Sequence, residues 1–301
     1  MSLEPSAHYD ERCFLPIHVY SAATGHCVLT ILRPGKTPDG KEVRTHLRRL
    51  VLCIRRHWPD TRIISVTDAF RHIGSLRDPI RDDGHYGRRE AMDWCEQNCI
   101  RYIFGLSPNA VLATQVFTTQ VFAKTDAACV RRATGNLDVV RDDAVTRYAA
   151  RSWSRPRRVV ARLEAMRKDL DVRYVVTNIS YGTPAWLYDD LYCARRQAEN
   201  LIKRHKSQLA SDRTSCRSPL ANQMRLILHT AAYWRMQTLR DAIHQPQPLA
   251  SGEFSTIRVR LLKIAVRANE TTSRVRLAFA ADFRDAELFR DLIGALIQRA
   301  T

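Results

Sequence analysis

Short β-branched segments alternate with amphipathic segments through the first hundred residues, and this alternation restricts the fold more than any other feature. CFLPIHVYSAATGHCVLTILRPGK (13–36) is typical of two extended runs joined by a Thr-Gly turn, a β-hairpin. After it come a helix over 39–59 that ends at Pro59, a strand over 62–68, a helix over 87–98 and a strand over 99–106. This β-β-α-β-α-β order predicts an α/β fold in which helices cover a sheet.

The rest of the chain divides into a strand-rich part and a helical part. We predict strands within 151–164 and over 172–180, and therefore a β-rich region over 108–181. Helices are predicted over roughly 183–208, from the N-cap and N1 pair Ser218-Pro219 to about Ile243, and over 285–300, while 255–268 is ambiguous. The C-terminal region is therefore expected to be mainly helical.

Charge indicates the class of partner. The chain carries 48 Lys and Arg against 31 Asp and Glu, a formal net charge of +17. A protein this basic most often binds a polyanion, and nucleic acid is the default. The arginines gather in three stretches, 44–58, 151–162 and 195–206, as expected for several parts of one footprint on DNA.

Composition also bears on location. No run of 18 or more apolar residues occurs, so we expect no membrane span. The eight cysteines lack CxxC pairing and the start lacks a secretory pattern, which is typical of a cytoplasmic protein with reduced thiols.

The predicted helix over 183–208 carries an unusual polar strip. Each residue of an α-helix advances about 100° around the axis. The side chains that then share an arc of about 80° are Tyr192, Arg195, Glu199, Lys203 and Lys206. Apolar residues occupy the neighbouring arc, so the strip is separate from the buried stripe. It indicates a functional surface, and the alternative is an ordinary helix salt bridge of Glu199 with its i±4 neighbours.

A second segment, IRDDGHYGRREAMDW (80–94), places an acid pair before a helix. A carboxylate between a strand and a helix lies at the carboxyl edge of a sheet, where α/β folds bind ligands. The alternative is a capping role for the acid at the helix start.

Together these two segments resemble one family. Tyr192, Arg195, Glu199 and Lys206 have the Y-x2-R-x3-E-x6-K spacing of the signature helix of bacterial insertion-sequence transposases, which are DDE enzymes with an RNase H-like core. The resemblance extends from about Ala7 along the whole chain. The segments that carry it are LPIHVY, ILRPGKTP, HLRRL, HWPDTRI, GHYGR, WCE, YIFGL, QAENLIK, SDRTSCRSPLANQ and LHTAAYW.

The resemblance implies a metal site. In this family two Asp and one Glu hold two divalent cations, Mg²⁺ or Mn²⁺, that act in an in-line attack on a DNA phosphate. It assigns Glu199 as the third acid and favours Asp83 as the second, both catalytic and both metal ligands. Asp68, which ends the strand over 62–68, remains the alternative second acid.

The resemblance also implies DNA contacts by the neighbouring cations. Tyr192 and Arg195 are expected at the DNA backbone, and Lys206 near the strand to be cleaved. Lys203 and Arg88 are predicted to bind DNA as well.

Three positions depart from the family pattern. The family's first aspartate stands upstream of the segment matching AHYDERCFLPIHVY, so we expect an N-terminally truncated copy; Asp10 matches a position that is not catalytic. Ser21 replaces a usual aspartate. Cys99 replaces a glycine at a helix end, where positive φ is often required.

The resemblance therefore implies an α/β, RNase H-like catalytic core without its first strand. We expect the first part of that core over 1–107, a β-rich insertion over 108–181, the signature helix over 182–215 and a helical C-terminal region over 216–301. The expected function is DNA transposition by metal-dependent strand cleavage and transfer, impaired by loss of the first aspartate. The alternative is a non-catalytic, basic DNA-binding remnant. Transposon ends and target DNA are the expected partners of a bacterial cytoplasmic protein, with no membrane partner and with homodimerisation open.

Overall fold

The computed structural model divides the chain into two compact units. The terminal unit comprises Met1–Lys36 with Gln197–Thr301, and the central unit comprises Thr37–Arg196. The residues that the structure describes are 4–5, 12–14, 16–34, 40–67, 87–107, 111–112, 120–135, 139–166, 170–213, 215–244 and 246–300.

The elements follow one another in this order. The first part of the chain contains β1 (Glu4–Pro5), β2 (Arg12–Cys13), β3 (Ile17–Tyr20), β4 (Cys27–Ile31), α1 (Gly40–His57), β5 (Ile64–Thr67), α2 (Arg89–Gln97) and β6 (Arg101–Leu106). The middle contains α3 (Gln120–Thr134), β7 (Val139–Tyr148), β8 (Arg157–Met166), β9 (Leu170–Thr177), a π-helical turn (Trp186–Tyr192), α4 (Arg195–Lys203) and a second π-helical turn (Arg204–Gln208). The last part contains α5 (Pro219–Asp241), a 3₁₀ turn (Pro248–Ser251), α6 (Phe254–Ile257), a third π-helical turn (Arg258–Leu262), β10 (Val266–Thr271), β11 (Arg274–Phe279) and α7 (Ala286–Ala300).

A mixed five-stranded sheet organises the central unit. Its strand order is β5-β6-β9-β8-β7. β5 and β6 run parallel, whereas the other neighbouring pairs are antiparallel. The fold class is therefore mixed α/β, as the sequence predicts.

Alternate residues of the central strands supply two apolar cores, because successive side chains of a strand point to opposite faces. On one face the sheet packs against α1 and α2, and this core includes Val43, Met92, Cys95, Phe104 and Val159. On the other face it packs against the turn over Trp186–Tyr192, and that core includes Ile103, Val160, Val175, Leu187 and Tyr188. Burial on both faces explains why these strands are almost continuously apolar.

The terminal unit joins the two ends of the chain. The β3–β4 hairpin, with His18 opposite Thr30, lies against α5. Side chains of α5 form hydrogen bonds with backbone groups of β4 and its flanks. Gln223 accepts from Leu32 N–H and donates to the Thr30 carbonyl, and Trp234 Nε1 donates to the Cys27 carbonyl at 2.7 Å. The β3–β4 hairpin is held in place by side-chain hydrogen bonds as well as by apolar packing.

Most sequence-derived elements are confirmed within a few residues. The 13–36 hairpin, the two helices and two strands after it, and the final helix all appear. Ser218 caps α5 by accepting from Ala221 N–H, with Pro219 at the first helical position. The ambiguous 255–268 segment is helical to Leu262 and then begins β10, so the C-terminal region also contains a hairpin.

The region 108–181 differs from its prediction. It was predicted to be β-rich, but it contains α3, and its strands β7 to β9 belong to the same sheet as β5 and β6.

Among the described residues, no helix combines the length and apolarity that crossing a lipid bilayer would require.

Cys99 has φ of 55°, which confirms the expectation of positive φ after α2. A side chain with Cβ is strained there, whereas glycine is not. We expect Cys99→Gly to raise the free energy of unfolding by about 0.5–1 kcal/mol in urea titrations, after allowance for the greater backbone entropy of glycine when unfolded. Cys99→Ala, which keeps Cβ, is the control and should not stabilise; equal effects of both substitutions would contradict the strain account.

Candidate functional site

The signature segment is not one uniform α-helix. α-Helical geometry holds over Arg195–Lys203, but π-helical turns precede it over Trp186–Tyr192 and follow it over Arg204–Gln208. A π turn uses i→i+5 hydrogen bonds and is wider than an α turn. The calculated 80° strip therefore holds for Arg195, Glu199 and Lys203, which are spaced i, i+4, i+8, and does not extend unchanged to Tyr192 and Lys206.

Glu199 stands on the exposed side of α4. Its side chain and that of Lys203, one helical turn later, are both exposed. The Arg195 side chain lies outside the described residues. An exposed carboxylate beside a cation can bind a metal ion or form an ordinary i,i+4 salt bridge, and both readings remain consistent with this geometry.

Tyr192 is buried rather than exposed. Its ring centroid lies 5.4 Å from that of Tyr188, within the core on the second face of the central sheet. The structure gives this tyrosine a packing role that anchors the start of the signature segment. Its contact with DNA stays a prediction.

Lys206 is also partly buried, in the second π turn of the terminal unit. Burial lowers its pKa, while Asp212 acts in the opposite direction. Its neighbour His205 is fully buried, and Nδ1 and Nε2 contact the hydroxyls of Ser211 and Thr230 at 2.6 and 3.1 Å. Burial lowers the pKa of His205 to about 4, so this histidine is neutral at physiological pH.

The other predicted residues divide into described and undescribed positions. Asp83 and its alternative Asp68 lie outside the described residues, as does Asp10. Arg88 is described and exposed, in extended conformation at the start of α2.

Two carboxylates on α2 that sequence analysis did not single out form a buried ion-pair network. The Arg157 guanidinium donates to both oxygens of Glu96, at 2.8 and 2.9 Å, and also to Asp93. Tyr102 donates to Glu96 at 2.8 Å, and Ser154 donates to Asp93 at 2.6 Å. These acids are bound by protein donors, so the structure assigns them to stability rather than to metal binding. The WCE segment, which contains Glu96, was the available sequence signal.

Comparison with known families decides the broader assignment. The family model described as transposase DDE domain group 1 matches residues 3–301. This chain belongs to the DDE transposase family. No curated protein matches it. Membership implies a DNA substrate and supports a function in transposition, and enzymes of this family usually use a divalent metal ion.

Not every arginine of the transposase is free to bind DNA. In the 151–162 stretch, Arg162 is buried and pairs with Asp143 and Asp189. Arg158 donates to backbone carbonyls of Ile179, Tyr181 and Gly182, the loop that leads into the signature segment. This stretch is therefore partly structural, which corrects the expectation that it forms a footprint throughout.

The 44–58 stretch has a different character. It lies mostly on α1, and the inner face of this helix contributes Val43 and Val51 to the core of the central unit. The arginines on the outer face are exposed; they are Arg44, Arg48, Arg49, Arg55 and Arg56. These side chains give the outer face of the helix a basic surface.

The ion-pair network should control acid stability. Burial alone would raise the pKa of Glu96, but hydrogen bonds from Arg157 and Tyr102 outweigh it and hold the pKa below its ordinary value. A carboxyl group whose pKa is lower in the folded protein stabilises the fold at pH values above its unfolded-state pKa. This stabilisation is lost as the pH falls through the folded-state pKa. In Arg157→Met, burial acts on Glu96 with less opposition, so acid unfolding should shift to higher pH, with a loss of about 3 kcal/mol at neutral pH by urea titration.

Arg155→Met is the matched control. Arg155 also pairs with Glu96, at 2.7 Å, but its side chain is 59% exposed. Its loss should cost less than about 1 kcal/mol, since solvent screens an exposed pair. Equal losses in the two variants would show that burial of Arg157 does not matter.

Proposed function

We propose that this chain is an insertion-sequence transposase of bacterial type, in which Glu199 and Asp83 are metal-binding, catalytic carboxylates for DNA strand cleavage and transfer. The observation that carries the proposal is the exposed position of Glu199 on α4, in a chain matched by a DDE transposase family model over almost its whole length. The Y-x2-R-x3-E-x6-K spacing supports the insertion-sequence group. An RNase H-like core is proposed on the same resemblance.

The donor chemistry fits a hard cation. Glu199 offers exposed carboxylate oxygens, which are the ligands that Mg²⁺ and Mn²⁺ prefer. Asp83, preferred to Asp68 because it matches the family aspartate before HYGR, would supply further oxygens. When bound, such an ion lowers the pKa of an attacking water or 3′-hydroxyl and stabilises the leaving oxygen.

The side chains around Glu199 would position DNA. Lys203 is exposed one turn further along α4 and can contact a phosphate directly. Arg195 and Arg88 are proposed as backbone contacts. Lys206 is proposed to contact the cleaved strand, and Tyr192 to reach DNA only through a rearrangement of its packing.

A non-catalytic DNA-binding remnant is the second candidate. The charge of +17 and the exposed arginines of α1 favour DNA binding by themselves. Within these 301 residues the resemblance assigns two of the three catalytic acids, so we expect the 301-residue polypeptide to cleave weakly. The proposed regions remain 1–107, 108–181, 182–215 and 216–301. We also propose that the protein is located in a bacterial cytoplasm and that it can form a homodimer.

Glu199→Gln tests the metal-site proposal. Glutamine keeps the size of the side chain but removes its charge, so Mn²⁺ affinity, measured by electron paramagnetic resonance of free Mn²⁺, should fall about 10-fold or more. Any Mg²⁺- or Mn²⁺-dependent cleavage of a labelled duplex end should fall with it. Duplex binding should be retained.

Glu287→Gln is the control, because Glu287 is an exposed acid on α7. It should leave Mn²⁺ affinity unchanged. Cleavage that survives in Glu199→Gln would reject Glu199 as a catalytic ligand. Duplex binding without Mn²⁺ binding or cleavage in the unmodified chain would favour the remnant.

Lys203→Ala tests the DNA surface. Removing one charge-assisted phosphate contact should weaken duplex binding by about 1 kcal/mol, roughly fivefold, and reduce the slope of log affinity against log salt by about one. Fluorescence anisotropy over a salt series measures both quantities. Lys263→Ala removes a charge that is also exposed but lies outside α4, so an equal change in both variants would indicate long-range attraction rather than contact.

A further inference from the structure

Three potential metal ligands meet inside the terminal unit, outside the proposed DNA site. His18 comes from β3, Cys27 from β4 and His205 from the second π turn. One ligand atom from each lies within 4.8 Å of those of the other two. All three residues are buried. The two imidazole rings meet edge to face, with centroids 4.9 Å apart.

His18 is the unexplained member of this group. It is nine-tenths buried, and neither ring nitrogen has a hydrogen-bond partner among the described residues. A buried nitrogen without a partner is costly and uncommon in native proteins. An ion bound by His18 would supply a partner for one of its two nitrogens.

Each ring nitrogen of His205 contacts a hydroxyl, Nδ1 that of Ser211 and Nε2 that of Thr230. Thr230 donates its hydroxyl proton to the Leu226 carbonyl at 2.8 Å, so towards Nε2 of His205 it can only accept. Nε2 then carries the proton, and Nδ1 accepts from Ser211. To bind an ion, one nitrogen exchanges its hydroxyl partner for the ion, and the other nitrogen then donates to the remaining hydroxyl. This hydrogen bond to the second nitrogen is the usual means of orienting a ligating histidine.

We propose that His18, Cys27 and His205 form a zinc site in the terminal unit. Thiolate and imidazole are ligands that select zinc over magnesium, and three protein ligands with water in the fourth position is an established zinc arrangement. On binding, Cys27 releases its thiol proton to solvent and both imidazoles bind through neutral nitrogens. The resulting thiolate offsets the charge of the ion in the presence of Lys206, the cation that acts on both histidines.

The site would have a structural role. Its ligands connect the β3–β4 hairpin to the turn that carries Lys206, immediately after α4. Binding would therefore restrain the end of the signature segment within the terminal unit. This role does not depend on the carboxylate site, because it involves neither Glu199 nor Asp83.

Cobalt substitution tests the proposal on the full chain, purified without a histidine tag and treated with chelator. Stoichiometric Co²⁺ should produce a thiolate-to-cobalt charge-transfer band, and Zn²⁺ but not Mg²⁺ should abolish it. Cys27→Ser should lack the band, and His18→Gln should bind Co²⁺ about tenfold more weakly or worse. Zn²⁺ should raise the thermal midpoint of the unmodified chain and not that of His18→Gln.

Matched controls exclude other cysteines and histidines. His26→Gln and Cys216→Ser alter residues of the same unit outside the group, and should bind Co²⁺ as the unmodified chain does. Glu199→Gln should keep the band, which separates this site from the proposed catalytic site. Absence of the band in the folded, unmodified chain would overturn the proposal, and so would a band that persists in Cys27→Ser.

Discussion

A buried guanidinium determines how the central unit packs. Arg157 lies at the start of β8, and a charge there is tolerated only because Glu96 and Asp93 of α2 surround it with acceptors. The network fixes α2 against the sheet, since Met92 and Cys95 on the same helix enter the apolar core beneath it. Arg162 repeats the device further along β8 with Asp143 and Asp189. Arginine ion pairs as well as apolar contacts therefore hold the neighbouring elements against both faces of the sheet.

This dependence explains what the sequence could and could not predict. The strands and helices could be predicted because the spacing of their apolar residues reflects burial directly. The roles of Ser218 and Cys99 could be predicted because helix capping and positive φ are local requirements. Arg157 and Arg162 were interpreted as part of a DNA-binding surface. The sequence does not show whether an arginine in a cluster is exposed to solvent or pairs with an acid from another part of the fold. The π turns were not predictable, since their i→i+5 hydrogen bonds depend on tertiary packing.

The candidate site shows the same limit. Glu199 and Lys203 are both exposed and lie one turn apart, because both belong to the nine residues of regular α-helix between the π turns. Tyr192 and Lys206 lie in the π turns that flank that helix, and both are at least partly buried. Of the predicted polar strip, Glu199 and Lys203 are therefore exposed, whereas Tyr192 and Lys206 at its two ends pack against the protein.

The anchor at the C-terminal end of α4 is chemically distinct from the carboxylate it supports. Glu199 has exposed, hard oxygen donors, whereas His18, Cys27 and His205 have softer donors and are buried. Ions that suit one set bind the other poorly, so a zinc ion in the interior need not compete with magnesium at the surface. Since His205 and Lys206 are adjacent in the chain, fixing the buried imidazole also limits where the neighbouring ammonium can lie. The proposed zinc ion in the interior of the terminal unit would therefore limit the position of a lysine that is proposed to contact DNA.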